Sequence, residues 1–213
     1  MNYKDAHTHN LKSAHESIYI VPLDNVPSSL PTHFAMGIHP WYLDKTSLEQ
    51  LEQIIQKYKP SILGECGLDK HCDASLEEQK LIFEKQLNLA TEQQINKLVV
   101  HNVGHHNEII KILKESSFSG KIMFHDYSGN QDQTEQYEKH FDSFYSLGAR
   151  LFNTQTKLVQ NIETLPLDKI LLETDDQTHY KLDEIYSQAA KLLKIPLREL
   201  VEHVEQNFNA FIV

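Results

Sequence analysis

Eight short runs of apolar and β-branched residues recur along the chain. They lie at Tyr3–Thr8, Ser17–Leu23, His33–His39, Ser61–Gly67, Lys97–Asn102, Lys121–Asp126, Phe144–Phe152 and Lys169–Thr174. Polar or turn-forming residues bound each run, which predicts eight strands. Between the later runs the apolar spacing switches to the helical period. Over Ser47–Tyr58, residues Leu48, Leu51, Ile54, Ile55 and Tyr58 share one face, and Ser47 with Gln50 forms a capping-box signature. Ser75–Asn96 has the same form, with Ser75 and Glu78 at its start. Shorter helical patterns cover Asn107–Ser116, Asp132–His140 and Thr156–Thr164. Lys181–Lys194 and Pro196–Phe208 close the chain, with Pro196 suited to a first helical position.

Strands that alternate with helices form mostly parallel α/β sheets, and eight of them predict a TIM (β/α)8 barrel. The spacing is uneven, however. About eight residues join the first two strands and about nine join the second to the third, whereas a parallel crossover takes a dozen or more. The expected fold is therefore a trimmed barrel with its first two outer helices short or missing. A doubly wound open sheet is the alternative. No linker, repeat or low-complexity tract interrupts the pattern, so one domain over residues 1–213 is expected.

Reactive groups of such barrels sit at the C-terminal ends of the strands. The first run closes with "DAHTH", where His7 and His9, two residues apart, share a strand face. Later runs close with "GIHPW" (His39), "GECGLD" (Glu65), "VVHN" (His101), "FHDYSG" (His125) and "LLETDD" (Asp175). With His39 set aside, His7, His9, Glu65, His101, His125 and Asp175 make one metal-capable set. A buried acid is costly without a cation or partner. Mixed imidazole and carboxylate donors suit Zn, Mn, Fe or Co better than Mg or Ca. Six ligands exceed what one catalytic tetrahedral ion takes, and they suit two divalent ions sharing a bridge, for which Glu65 is the natural residue. Asp175 stands where it can also accept a proton from an attacking water. Asp5, two residues before His7, suits a supporting position.

The net charge of −10, from 20 basic and 30 acidic residues, argues against a broad basic face for nucleic acid. It leaves room for an anionic substrate held by a few residues and a metal. No apolar run approaches the roughly 20 residues that span a bilayer, and the N-terminus has no apolar signal segment. Two cysteines make no disulfide framework. A cytoplasmic setting without membrane contact is expected, and bare barrel flanks would offer a dimer contact.

The ordered set "DAHTH", "GIHPW", "GECGLD" with "SLEEQKLIFEKQLNLA", "VVHN", "FHDYSG" and "LLETD" resembles the TatD family of metal-dependent hydrolases and deoxyribonucleases, from residue 4 to about 175. The resemblance implies a TIM barrel with a binuclear site that hydrolyses phosphodiester bonds, often as a 3′ exonuclease, with single-stranded DNA or another phosphodiester as substrate. It assigns His7, His9 and Asp175 to one ion, His101 and His125 to the other, and Glu65 to both. His39 matches a residue near the substrate phosphate, and Trp41 and Tyr127 are candidates for stacking on a base or sugar. Two positions depart from the family pattern. Val103 stands where an arginine is common, and "DQTHY" replaces a proline-containing loop. An ester, amide or lactone hydrolase is the second reading, favoured by Val103. A non-catalytic metal- or partner-binding barrel is the third, and the complete six-residue set speaks against it.

Overall fold

The computed structural model describes residues 1–13, 15–176 and 179–213. Gln177 and Thr178 of the "DQTHY" loop lie outside the described residues. One eight-stranded sheet runs in chain order. Its strands are β1 (Lys4–Thr8), β2 (Glu16–Ile20), β3 (His33–Met36), β4 (Ile62–Asp69), β5 (Lys97–Val103), β6 (Lys121–Phe124), β7 (Asp142–Leu147) and β8 (Ile170–Leu172). The helices are α1 (Leu48–Tyr58), α2 (Leu76–Glu92), α3 (His106–Glu115), α4 (Gln131–His140), α5 (Lys157–Gln160), α6 (Leu182–Leu193) and α7 (Leu197–Ile212). This is the TIM-barrel order of parallel strands with intervening helices. Among the described residues no helix joins β1 to β2 or β2 to β3, as the short spacings require. No helix among the described residues is long and apolar enough to cross a membrane.

The chain clusters into two compact units. The first comprises Met1–Tyr19, Met123–Lys139 and Ser143–Val213, and the second Ile20–Ile122 and His140–Asp142. In the second unit, β4 is buried along its whole length. Its sequence, ILGECGLD, is apolar or small except at Glu65 and Asp69, as suits a parallel strand covered on both sides. Gly67 is required there. A Cβ at that position would lie 2.0 Å from the carbonyl oxygen of His101, and φ is +144°. Only glycine lets β4 run this close to β5. α1 buries Leu51 and Ile55, α2 buries Phe83 and Leu87, and α3 buries Ile109, Ile112 and Leu113. Each such side chain contributes about 1.5–3 kcal/mol. Both expected capping boxes form, Ser47 with Gln50 and Ser75 with Glu78.

In the first unit, α6 and α7 cover β1, β7 and β8. The Tyr186 hydroxyl on α6 donates to the Lys4 carbonyl at 2.9 Å and accepts from the Lys4 N–H at 3.0 Å. Asn207 on α7 donates to the carbonyls of Leu167 and Ile170, tying the helix to the start of β8. Phe144 packs edge-on to Phe211, with ring centroids 5.5 Å apart.

Several elements are shorter than the sequence pattern predicts. β3 stops at Met36, β7 at Leu147 and β8 spans three residues. The tail of the seventh run, Ala149–Phe152, is a 3-10 turn that buries Leu151. The run Thr156–Thr164 holds the single turn α5 and then a 3-10 turn at Ile162–Thr164. Buried apolar residues in a turn give the same local signal as a strand, so apolar runs overstate strand length. Pro196 sits at the N-cap of α7, one position before the first helical residue.

Candidate metal centre

In the first unit, β1 buries His7 completely and ends just before the exposed His9. The segment after β8 closes against that end. Asp175 donates its N–H to the His7 carbonyl at 2.8 Å, and His9 donates to the Asp175 carbonyl at 3.3 Å. These backbone bonds bring three side chains together. Asp175 Oδ1 lies 3.4 Å from His7 Nε2 and 3.5 Å from His9 Nε2. On its other side the His7 ring stacks on His125, with centroids 4.0 Å apart and planes 9° apart. His125 Nδ1 lies 3.5 Å from Glu173 Oε1, and Glu173 is fully buried. Two trios therefore offer one ligand atom per residue, all within 4.8 Å of one another: His7, His9 and Asp175, and His125, Glu173 and Asp175.

Asp5 fixes this segment from below. Its carboxylate accepts the Thr174 N–H at 2.9 Å and the Thr174 hydroxyl at 2.7 Å. Burial pushes the Asp5 carboxyl up to about 7, although the Thr174 hydrogen bonds oppose it. Burial also acts to raise Asp175, but the imidazoles of His7 and His9 outweigh it and hold that carboxyl well below the usual range. Asp175 and Asp126 both have left-handed backbones, at φ 55° and 40°. Such conformations persist where the surroundings over-determine them.

The second unit has a cluster made of its own side chains. Glu65 on β4 faces His101 on β5, with Glu65 Oε1 2.8 Å from His101 Nδ1, and His39 Nε2 lies 3.2 Å from the same oxygen. His39, Glu65 and His101 form a third trio of ligand atoms. The outer edges of both rings are held. Asp69 Oδ2 lies 2.9 Å from His101 Nε2 and accepts the Trp41 indole N–H at 2.9 Å. His39 Nδ1 accepts the Trp41 backbone N–H at 3.1 Å, which leaves Nε2 turned to Glu65. Burial acts to raise Asp69, but hydrogen bonds from His101, the His71 backbone and Trp41 hold it well below the usual range. A carboxylate behind a histidine is the usual support for a metal ligand.

α2 positions this cluster with two buried glutamines seven residues apart, on one helix face. Gln86 accepts the Ile38 N–H at 2.7 Å and donates to the Ile38 carbonyl at 3.0 Å, fixing the backbone beside His39. Gln79 accepts the Asp69 N–H at 2.8 Å and donates to the Ala74 carbonyl at 2.9 Å.

The donor set of each cluster fits a divalent ion. Ligand atoms about 2.1 Å from a tetrahedral ion stand ~3.4 Å apart, close to the separations found around Asp175. Of the residues singled out in the sequence, His7, His9, His125 and Asp175 come together in the first unit, and Glu65 and His101 in the second. His39, set aside as a substrate contact, stands among the potential ligands. Trp41 is 54% exposed beside them. Tyr127 does not join the cluster of its own unit. It is buried among Phe124, Tyr137 and Tyr145, and its hydroxyl is 2.8 Å from Thr134 Oγ1.

Glu173 and Asp69 escaped the sequence reading, although period-two spacing points to both. Glu173 precedes Asp175 by two residues, and Asp69 follows Glu65 by four on one strand face. Gln79 and Gln86 carry no such signal, because polar helix positions read as solvent-facing.

A protein-family model described as TatD related DNase matches residues 25–212. The chain is 30% identical over 151 residues to the metal-dependent hydrolase YjjV of Escherichia coli K12, covering 68% of this chain and 58% of that protein. It is 29% identical over 169 residues to a metal-dependent hydrolase of Haemophilus influenzae Rd, covering 72% and 63%. The chain thus spans about three fifths of the length of these relatives. Among solved structures, the Escherichia coli YjjV crystal structure superposes with a TM-score of 0.82 at 23% identity, over 100% of this chain and 98% of that one. A TatD-family hydrolase structure from Entamoeba histolytica gives 0.77 at 14% identity, over 97% and 96%.

Proposed function

The chain belongs to the TatD-related DNase family, and from that premise we propose that it is a metal-dependent phosphodiesterase of the 3′ exodeoxyribonuclease kind, using two divalent ions of the Zn, Mn, Fe or Co type. The observation that carries this reading is the pairing of acids with imidazoles in each unit, around Asp175 in the first and around Glu65 in the second. By the resemblance, His7, His9 and Asp175 would hold one ion, His101 and His125 the other, and Glu65 both. Bound ions would supply a nucleophilic hydroxide near neutral pH and polarise the scissile phosphoryl group.

The chain's own residues do the rest. Asp175, kept ionised, takes the proton released by the attacking water. His39 donates to a non-bridging oxygen. The exposed Trp41 ring, tethered through its indole N–H to Asp69, offers a face on which a terminal base stacks. Single-stranded DNA is the proposed substrate. The second reading, an ester or amide hydrolase, is favoured by Val103.

The test is a substrate panel on protein reconstituted with Zn or Mn: a 3′-labelled single-stranded oligonucleotide, bis-p-nitrophenyl phosphate and p-nitrophenyl acetate. Release of labelled mononucleotide is the expected result. Turnover of the acetate alone transfers the protein to the second reading, and no turnover of any of the three overturns hydrolysis.

A further inference from the structure

We infer that Arg150 is the substrate's anion-binding residue, held for that purpose by Asp126, so that the site selects a ligand bearing a phosphoryl group. This rests on the phosphodiesterase reading for the reaction, but the placement is independent of it. The chain has two arginines. Arg198 lies on α7 and pairs with Glu202 one turn away, both well exposed. Arg150 instead follows the C-terminal end of β7, the end at which the ligand residues stand.

A short chain of contacts ties it to the cluster of the first unit. Arg150 Nε donates to Asp126 Oδ2 at 2.6 Å. Asp126 directly follows His125, and its own N–H donates to Glu173 Oε1 at 2.7 Å. That oxygen is the one 3.5 Å from His125 Nδ1. Gly148 brings the arginine's loop in. A Cβ at that position would lie 3.3 Å from Glu173 Cγ, so a side chain there would press on the buried acid. The guanidinium is thus anchored two hydrogen bonds from a candidate metal ligand.

The anchoring uses one edge of a planar fork. Among the described residues the two terminal guanidinium nitrogens make no hydrogen bond, and the side chain is 43% exposed. An arginine pinned through Nε and open at its outer edge is pre-organised for a bidentate grip on phosphate oxygens, which a lysine cannot reproduce. A structural surface ion pair would show the same bond to Asp126, but it would not care which ligand is present. The family position for such a cation, after His101, is Val103 here. Arg150 supplies the charge from the turn that follows β7.

Inorganic phosphate is the probe, titrated calorimetrically into metal-loaded wild type, Arg150→Met and Arg150→Lys. Arg150→Met is expected to weaken phosphate binding about ten-fold or more, with Arg150→Lys between it and wild type. In steady state on bis-p-nitrophenyl phosphate, Arg150→Met should raise KM by a similar factor with kcat within about three-fold. Unchanged phosphate affinity in Arg150→Met, or no phosphate binding by the wild type, overturns the inference. Equal weakening in the lysine variant with a fall in thermal midpoint also overturns it, by assigning Arg150 a structural role. If the wild type binds phosphate through Arg150 but cleaves no phosphodiester, the proposed reaction fails and the anion site stands.

Discussion

Asp175 carries two burdens in one residue. Its backbone locks the end of β1 through bonds to His7 and His9, while its carboxylate faces both imidazoles. An amide of the same shape keeps the first role and loses the second. Asp175→Asn is therefore expected to fold with an unchanged circular dichroism spectrum and to lose about 10²–10⁴-fold in kcat, the range for a removed proton acceptor. Glu65→Gln should behave alike, because His101 and His39 lose the anion they face. Turnover in metal-defined buffer measures both, and near-wild-type rates in either would remove that residue from the chemistry. The period-two rule made His7 with His9 legible from the sequence, and it reaches Glu173 and Asp69 as well. What it cannot show is that His39, one strand away, turns its Nε2 to the Glu65 carboxylate. That depends on the Trp41 backbone N–H occupying the other ring nitrogen.

At the scale of elements, strand order and the missing early helices were legible because burial on both faces and chain length leave few alternatives. Strand ends were not, since turns such as Ala149–Phe152 bury apolar residues too. Nor was the second job of α2. Its Gln86 satisfies both backbone groups of Ile38 in a buried place, and Gln86→Leu would strand them. Each unsatisfied group costs about 1–3 kcal/mol. A loss of about 2–6 kcal/mol in urea unfolding is expected, together with lowered turnover as the loop bearing His39 shifts. The aromatic elements of the first unit set a pH limit. Burial pushes the Tyr127 hydroxyl up to about 12 and raises Tyr145 and Tyr186 further. Above about pH 10 the unfolded chain sheds phenolic protons that the native protein keeps, so the unfolded state binds fewer protons and stability falls as pH rises. The thermal midpoint should drop between about pH 10 and 12, and more shallowly in Tyr145→Phe, which has one fewer buried phenol.

For the whole molecule, the net charge of −10 stands against a polyanionic substrate, while the proposed metal ions and Arg150 would attract one locally. These two effects differ in range, and salt separates them. The Debye length falls from about 30 Å at 0.01 M to about 8 Å at 0.15 M salt. Over that interval the long-range repulsion from the acidic surface is screened, while contacts at hydrogen-bond distance keep most of their strength. Proteins that hold nucleic acid on a broad basic face show the reverse, losing affinity steeply as salt rises. For this chain, KM for a single-stranded oligonucleotide is expected to stay level or fall between 0.01 and about 0.15 M salt, at fixed metal concentration. A steep rise of oligonucleotide KM with salt would mean that many phosphates are neutralised at once. That calls for an extended cationic surface, and it would replace the picture of a few short-range contacts holding the substrate at one end.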